Sequence, residues 1–252
     1  MWFYKDDKTR PTISAEELVE SSFEEKDAFT LPKTAVLLYM RGLEFIQERY
    51  EVELITECFP RFLYACSIYK IKGHNDICFL DGGRGAPQAA DTIETLKALG
   101  IENVISVGMI GAYSKLINVG DIIIPPLAYS EEGTSLHYFE NEEYFKPNEN
   151  LFKVAVEFVE NSKKYPIVST DAVFRQTFYK EALWREKGAV GVDMETSALF
   201  SVGNYLNLKV VALLMVSDIH PLNENDNKWS WEMTKEMRKN VIYKAIDLAL
   251  SI

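Results

Sequence analysis

The sequence predicts one three-layer α/β/α domain, a sheet covered by helices on both faces. Three observations carry that expectation. From "AVLLYM" at residues 35–40 to the C-terminus, apolar runs of strand length alternate with segments of helical periodicity, the pattern of strands sandwiched between helices. The chain has 252 residues, 47% of them hydrophobic; that is enough for a large core, and single domains run to about 250 residues. The stretch "GGRGAPQAADTIETLKALG" joins a glycine-rich turn, a proline near the first helical turn, an amphipathic run and a closing glycine, the asymmetry helix termini prefer.

The elements follow in order. The first 33 or so residues, acidic and including the helix-like "SAEELVESSFEEK", read as an N-terminal extension on a domain spanning 34–252. "AVLLYM" is a buried strand, residues 42–49 a short helix, "EVELITECF", "LYACSIYKI" and "ICFL" further strands. After the helix opened by "GGRGAP", "NVISVG" and "VGDIIIP" are strands, residues 127–150 are loop-rich, and 151–161 are helical. "YPIVSTDAVF" is a strand, "GAVGV" a strand with its helix, "KVVALLMVSD" a strand, and residues 229–250 a final helix. There is no internal repeat or low-complexity tract.

Composition restricts the function. With 38 acidic against 27 basic side chains the net charge is −11, which repels nucleic acid and anionic membranes. Nucleic acid and membrane partners are not expected. There is no apolar run of 18 residues, and "MWFYKDDKTRP" has neither part of a signal peptide, so a cytoplasmic enzyme is expected. Cys58, Cys66 and Cys78 have no metal or CxxC spacing and read as reduced core residues; His74, His137 and His220 share no ligand spacing. No metal and no organic cofactor is expected.

Polar groups follow apolar runs at three places, "FLDGGRGAP", "VGVDMET" and "LLMVSDIHP", and open α/β sheets bind ligands at such strand ends. In "GVDMETSALF" the acids Asp193 and Glu195 flank Met194 where a strand hands over to a helix; they read either as helix caps or as a sugar-binding carboxylate in a cleft. Asp218 emerges from seven apolar residues, as a general acid with a pKa raised by burial or as a cap on the turn before Pro221.

The order "GGRGAP", helix, "VISVGMIGAY", "VGDIIIP", "VSTDAVF", "VGVDMETSALF", "VSDIHP" resembles the nucleoside phosphorylase family, which includes purine nucleoside phosphorylases, uridine phosphorylases and related nucleosidases. The resemblance runs from about Ala35 to the C-terminal helix. It implies a central mixed β-sheet, cleavage of a purine-type nucleoside with inorganic phosphate as co-substrate, and a homo-oligomer, dimer or hexamer. It places Met194 and Glu195 at the ribose and makes Asp218 the donor of a proton to the departing base. Ser217, Val173, Phe174 and Val192 would line the base. The family's first acid is here Asp193, one methylene shorter. Breaking an N-ribosidic bond puts positive charge on the sugar and negative charge on the base, so a proton donor and fixed hydroxyl contacts suit the task.

The phosphate end departs from the family. The element matching "SVGMIG" usually carries an arginine and a Ser or Thr where this chain has Ser106 and Met109, and the glycine turn after the first strand is not recognisable in "YMRGLEF". Each lost arginine contact costs about 1.5–3 kcal/mol of phosphate binding, so Arg84, Arg41 and the backbone at Gly108 are the replacement candidates. A hydrolytic nucleosidase, in which those ligands are not needed, is the alternative, followed by a non-catalytic nucleoside-binding protein. Arg175, Gln176 and His137 read as exposed loop residues, and His220 either orients Asp218 or faces solvent.

Overall fold

The computed structural model describes residues 2–22 and 29–252. The strands are β1 (Thr34–Leu38), β2 (Val52–Phe59), β3 (Cys66–Ile71), β4 (Ile77–Asp81), β5 (Asn103–Ala112), β6 (Ile122–Ile123), β7 (Ala128–Glu131), β8 (Tyr144–Phe145), β9 (Ile167–Thr170), β10 (Gly191–Asp193) and β11 (Lys209–Ile219). The helices are α1 (Ala15–Ser22), α2 (Leu43–Arg49), α3 (Ala86–Ala98), α4 (Glu149–Phe158), α5 (Phe178–Glu186), α6 (Thr196–Tyr205) and α7 (Lys235–Ala249).

All strands join one mixed sheet in the order β2-β3-β4-β1-β5-β10-β9-β7-β8, with β11 on the other edge of β5 and β6 beyond it. Side chains of a strand alternate between faces. Ala35 and Leu37 of β1 therefore pack with α3 and α6, whereas Val36 and Leu38 pack with α2, α4 and α7. Both faces are covered, so β1 and β11 are continuous apolar runs rather than alternating ones. This is the three-layer α/β/α arrangement the sequence predicts, and no helix among the described residues is long and apolar enough to cross a membrane.

The feature that positions the site is a fork at β5. β11 runs parallel along the whole of β5, but the opposite edge is shared: β1 pairs with residues 103–107, and β10 pairs antiparallel with Gly111 and Ala112. β1 and β10 thus diverge beside Gly108, Met109 and Ile110, and the chain leaving β10 runs into the opening.

Several elements differ from the sequence expectation. α7 begins six residues after Trp229, because Thr234 caps it by accepting from Met237 N–H at 3.2 Å and the Trp229 indole is held at the end of β11. The loop-rich stretch contains β7 and β8, too short to carry a period. α5 was not anticipated; its polarity hides it, although Thr177 caps it. Cys58 is exposed rather than in the core, since it lies on the edge strand β2, while Cys78 is buried. The extension contributes α1, which packs on α3; residues 23–28, the end of the predicted "SAEELVESSFEEK" helix and its sequel, lie outside the described residues.

Candidate active site

At the β10–α6 junction the two acids part company. Asp193 is buried, its Oδ1 accepting from Ser169 Oγ at 2.5 Å and its Oδ2 from Thr196 N–H at 3.1 Å and from the Thr196 hydroxyl. Ser169 Oγ in turn accepts from Ser197 N–H at 2.9 Å. Asp193 is therefore the cap of α6, a buried one rather than the surface cap the sequence allowed. Glu195 occupies the formal cap position of α6 yet makes no side-chain cap bond among the described residues; instead its Oε1 accepts from Gly85 N–H at 2.6 Å. Met194 and Glu195 are the first residues after β10 to reach solvent. Burial, and then the charge of Asp193, push the Glu195 carboxyl up.

The glycine turn between β4 and α3 is closed by its own contacts. Gly83 and Gly85 have φ of 92° and 78°, backbone that suits glycine. Gly83 N–H donates to Asp81 Oδ1 at 2.7 Å, Arg84 N–H to Gln88 Oε1 at 2.8 Å, and Gly85 N–H to Glu195. The half-exposed Arg84 guanidinium reaches Asp81 Oδ1 at 3.2 Å and the Gly83 carbonyl at 2.5 Å. All three amides donate within the protein. Arg41 is exposed, on a cavity it shares with Asp81 and Tyr64. Gly108 lies between Tyr39 and Leu214: a Cβ there would stand 3.8 Å and 3.0 Å from their side chains. Tyr39 itself, just past β1, packs its ring over Gly82, and its buried hydroxyl has no hydrogen-bond partner among the described residues. Burial raises its pKa first, followed by the charge of Glu195. A buried hydroxyl without a partner costs free energy.

At the end of β11 Asp218 is buried, with Ser217 Oγ donating to its Oδ1 at 2.5 Å and the Trp229 indole N–H to its Oδ2 at 2.6 Å. His220 Nε2 lies 3.4 Å from the same Oδ2, and His220 Nδ1 lies 2.7 Å from Glu181 Oε1 on α5. Burial raises the Asp218 pKa, but hydrogen bonds from His220, Ser217 and Trp229 outweigh it and hold the carboxyl below its usual range. The sequence expectation of an acid raised by burial is thus reversed: donors surround this carboxylate. Burial alone would lower His220, yet Asp218 and Glu181 push it up to about 9.

Glu195 follows β10 and Asp218 lies near the end of β11, strands on opposite edges of β5. Val192 and Asp218 both pair with Gly111, one across each edge, which separates them by two strand spacings, about 10 Å. Other predicted positions fall elsewhere. Ser217 is buried and donates to Asp218 Oδ1. Val192 packs in the core with Tyr113, Val168 and Trp184. Val173 and Phe174 lie in a 3-10 turn at Val173–Arg175, Phe174 95% exposed, so neither forms a wall within this chain. His137 stacks on Trp2 of the extension with ring centroids 5.3 Å apart. Sequence reasoning missed Glu181, Trp229 and Tyr39. Their contacts are long-range, and only the position of Tyr39 at the end of the first core strand signalled anything.

Comparison with known proteins agrees with this architecture. The family model of the phosphorylase superfamily matches residues 42–250, and the chain belongs to that superfamily. It is 26% identical over 180 residues to a guanosine phosphorylase of Halorubrum lacusprofundi, covering 70% of this chain and 75% of that one. Its fold is similar to a uridine phosphorylase from Vibrio fischeri ES114, at TM-score 0.71 and 25% identity over 88% and 93% of the two chains. It is also similar to an AMP nucleosidase from Bacteroides thetaiotaomicron VPI-5482, at TM-score 0.70 and 21% identity over 94% and 96%. Phosphorylases and a nucleosidase thus share this fold.

Proposed function

We propose that this protein cleaves the N-ribosidic bond of a purine-type nucleoside and transfers the ribosyl group to inorganic phosphate. The observation that carries the proposal is the pair of unlike carboxylates: Glu195, two residues past the end of β10, and Asp218, near the end of β11, two strands that pair with Gly111 of β5 from opposite edges. Glu195 is fixed by one backbone amide and leaves its second oxygen for the ribose 2′ and 3′ hydroxyls; such charge-assisted bonds contribute about 1.5–3 kcal/mol. Met194 provides an adaptable apolar wall beside it. Asp218, ionised at neutral pH, relays a proton to the base as negative charge builds there, and the base takes the place of the Trp229 indole at Oδ2. The similarity to a guanosine phosphorylase supports both a purine base and phosphate.

A second reading, hydrolysis, rests on a specific observation. The three amides of the glycine turn donate within the protein, Arg84 is paired with Asp81, and Ser106 and Met109 replace the expected phosphate ligands. Phosphate binding at Arg84 requires that this ion pair open. The experiment is a panel of purine and pyrimidine nucleosides incubated with and without phosphate, with the sugar product identified. Ribose 1-phosphate formed only with phosphate supports phosphorolysis; free ribose at equal rate in phosphate-free buffer establishes hydrolysis instead. A panel left intact in both buffers overturns the proposal.

A further inference from the structure

We propose that His220, clamped by Glu181, is the positioning residue behind Asp218, storing the proton that Asp218 delivers to the leaving base. This rests on the nucleoside-cleaving reading. Three contacts form the chain: Asp218 Oδ2 to His220 Nε2 at 3.4 Å, His220 Nδ1 to Glu181 Oε1 at 2.7 Å, and His220 N–H to the Ala112 carbonyl at 2.7 Å, which fixes the backbone. The imidazole lies in a slot made for it. A Cβ on Gly111 would stand 2.3 Å from Nε2, so any larger residue at this point of β5 would expel the ring. Glu181 of α5 is only 5% exposed. A buried carboxylate needs a partner, and His220 is the cation facing it.

The other groups around His220 leave its charge to these two acids. Tyr113 presents its ring at 6.5 Å, and Arg185 of α5 donates to the Tyr113 carbonyl at 3.2 Å instead of competing for Glu181. An imidazolium between two carboxylates keeps a transferable proton next to an acid whose own proton is otherwise lost, since Asp218 is held in its ionised form at neutral pH. In the cleavage step a phosphate oxygen bonds to the ribose C1′ as the C1′–N bond breaks, and the electron pair of that broken bond passes to the base. The proton on Nε2 moves to Asp218 Oδ2 and on to a base nitrogen. His220 is left as the neutral imidazole, its Nδ1–H still donated to Glu181, and solvent returns a proton to Nε2 once the base departs.

The alternative is a staple that merely ties α5 to β11, and the test separates the two. Purified wild type, His220→Gln and Glu181→Gln are compared for kcat and KM on the best-cleaved nucleoside of the panel from pH 5 to 10, with circular dichroism confirming the fold. The wild-type alkaline limb is expected near the His220 value of about 9. Glu181→Gln should move that limb to lower pH, and His220→Gln should lower kcat about 100-fold with little change in KM. Wild-type kcat and an unmoved limb in both variants overturn the proposal. NMR of the His220 ring in the intact wild type gives an independent reading: titration near 6.5, its unperturbed value, overturns the proton store even if a variant fails to fold. A wild type inactive on every nucleoside overturns the proposed function, while the NMR result still judges the store.

Discussion

The two acid-bearing ends of the sheet are built on opposite principles. At the β10–α6 junction a buried carboxylate, Asp193, caps the helix with every oxygen occupied, and the next acid, Glu195, is left half-satisfied with one backbone amide. At the end of β11 the buried carboxylate is itself the reactive candidate, encircled by Ser217, Trp229 and His220 and linked through His220 to a second acid. The first arrangement presents an immobile acceptor, suited to holding hydroxyls. The second presents a carboxylate among exchangeable donors, suited to passing a proton. The difference lies in which of two neighbouring polar groups is satisfied by protein, and under the proposed function it divides binding from proton transfer.

The largest expected effect comes from breaking the second region. Asp218→Asn should lower kcat for purine nucleoside cleavage about 100- to 10,000-fold, the range of general acid catalysis, with little change in KM; steady-state kinetics check it.

Breaking the binding half of the first region should change selectivity. Glu195→Gln keeps an acceptor for Gly85 N–H but loses the charge. The loss of about 1.5–3 kcal/mol should cost roughly ten- to over a hundredfold in kcat/KM on ribonucleosides, and less on 2′-deoxyribonucleosides. Stability should move the other way. A carboxyl raised from 4.5 to about 7 destabilises the fold as pH climbs through that interval, so the variant should melt higher than wild type at pH 8. A lower melting temperature would show that Glu195 serves α6.

The structural half of that junction should behave oppositely. Asp193→Ala should cost about 0.5–2 kcal/mol as a lost cap, measured by urea unfolding. The smallest effect is in the pH slope of stability. His220 is raised from 6.5 to about 9, so its contribution is complete below pH 6.5 and fades as pH rises through 9. Wild type should therefore lose more melting temperature than His220→Gln between pH 6.5 and 9.

What was legible in the sequence was local. The runs of β1 and β11 and the glycine-bounded α3 carry their own periodicity and punctuation, and they appear where expected. Met194, Glu195 and Asp218 stand out in the sequence because each comes soon after an apolar run. What could not be read depends on partners distant in the chain: the Gly85–Glu195 bond spans 110 residues and the Glu181–His220 pair 39. The sequence points the Asp218 pKa the wrong way for the same reason, since burial is visible in an apolar run but the indole and imidazole that help outweigh it are not. Arg84 shows the converse: its place between glycines suggests a ligand contact, and its nearest anion is Asp81.

The most direct test of the division between the two carboxylates crosses two variants with two sugars. Rates kcat/KM are measured for wild type, Asp218→Asn and Glu195→Gln on a purine ribonucleoside and on its 2′-deoxy counterpart. A proton donor at the base is indifferent to the 2′ hydroxyl, so Asp218→Asn should slow both substrates by the same factor, while Glu195→Gln should slow the ribonucleoside more. Equal losses on the two sugars for Glu195→Gln, or unchanged cleavage in Asp218→Asn, would contradict the assignment of binding to one edge of β5 and proton transfer to the other.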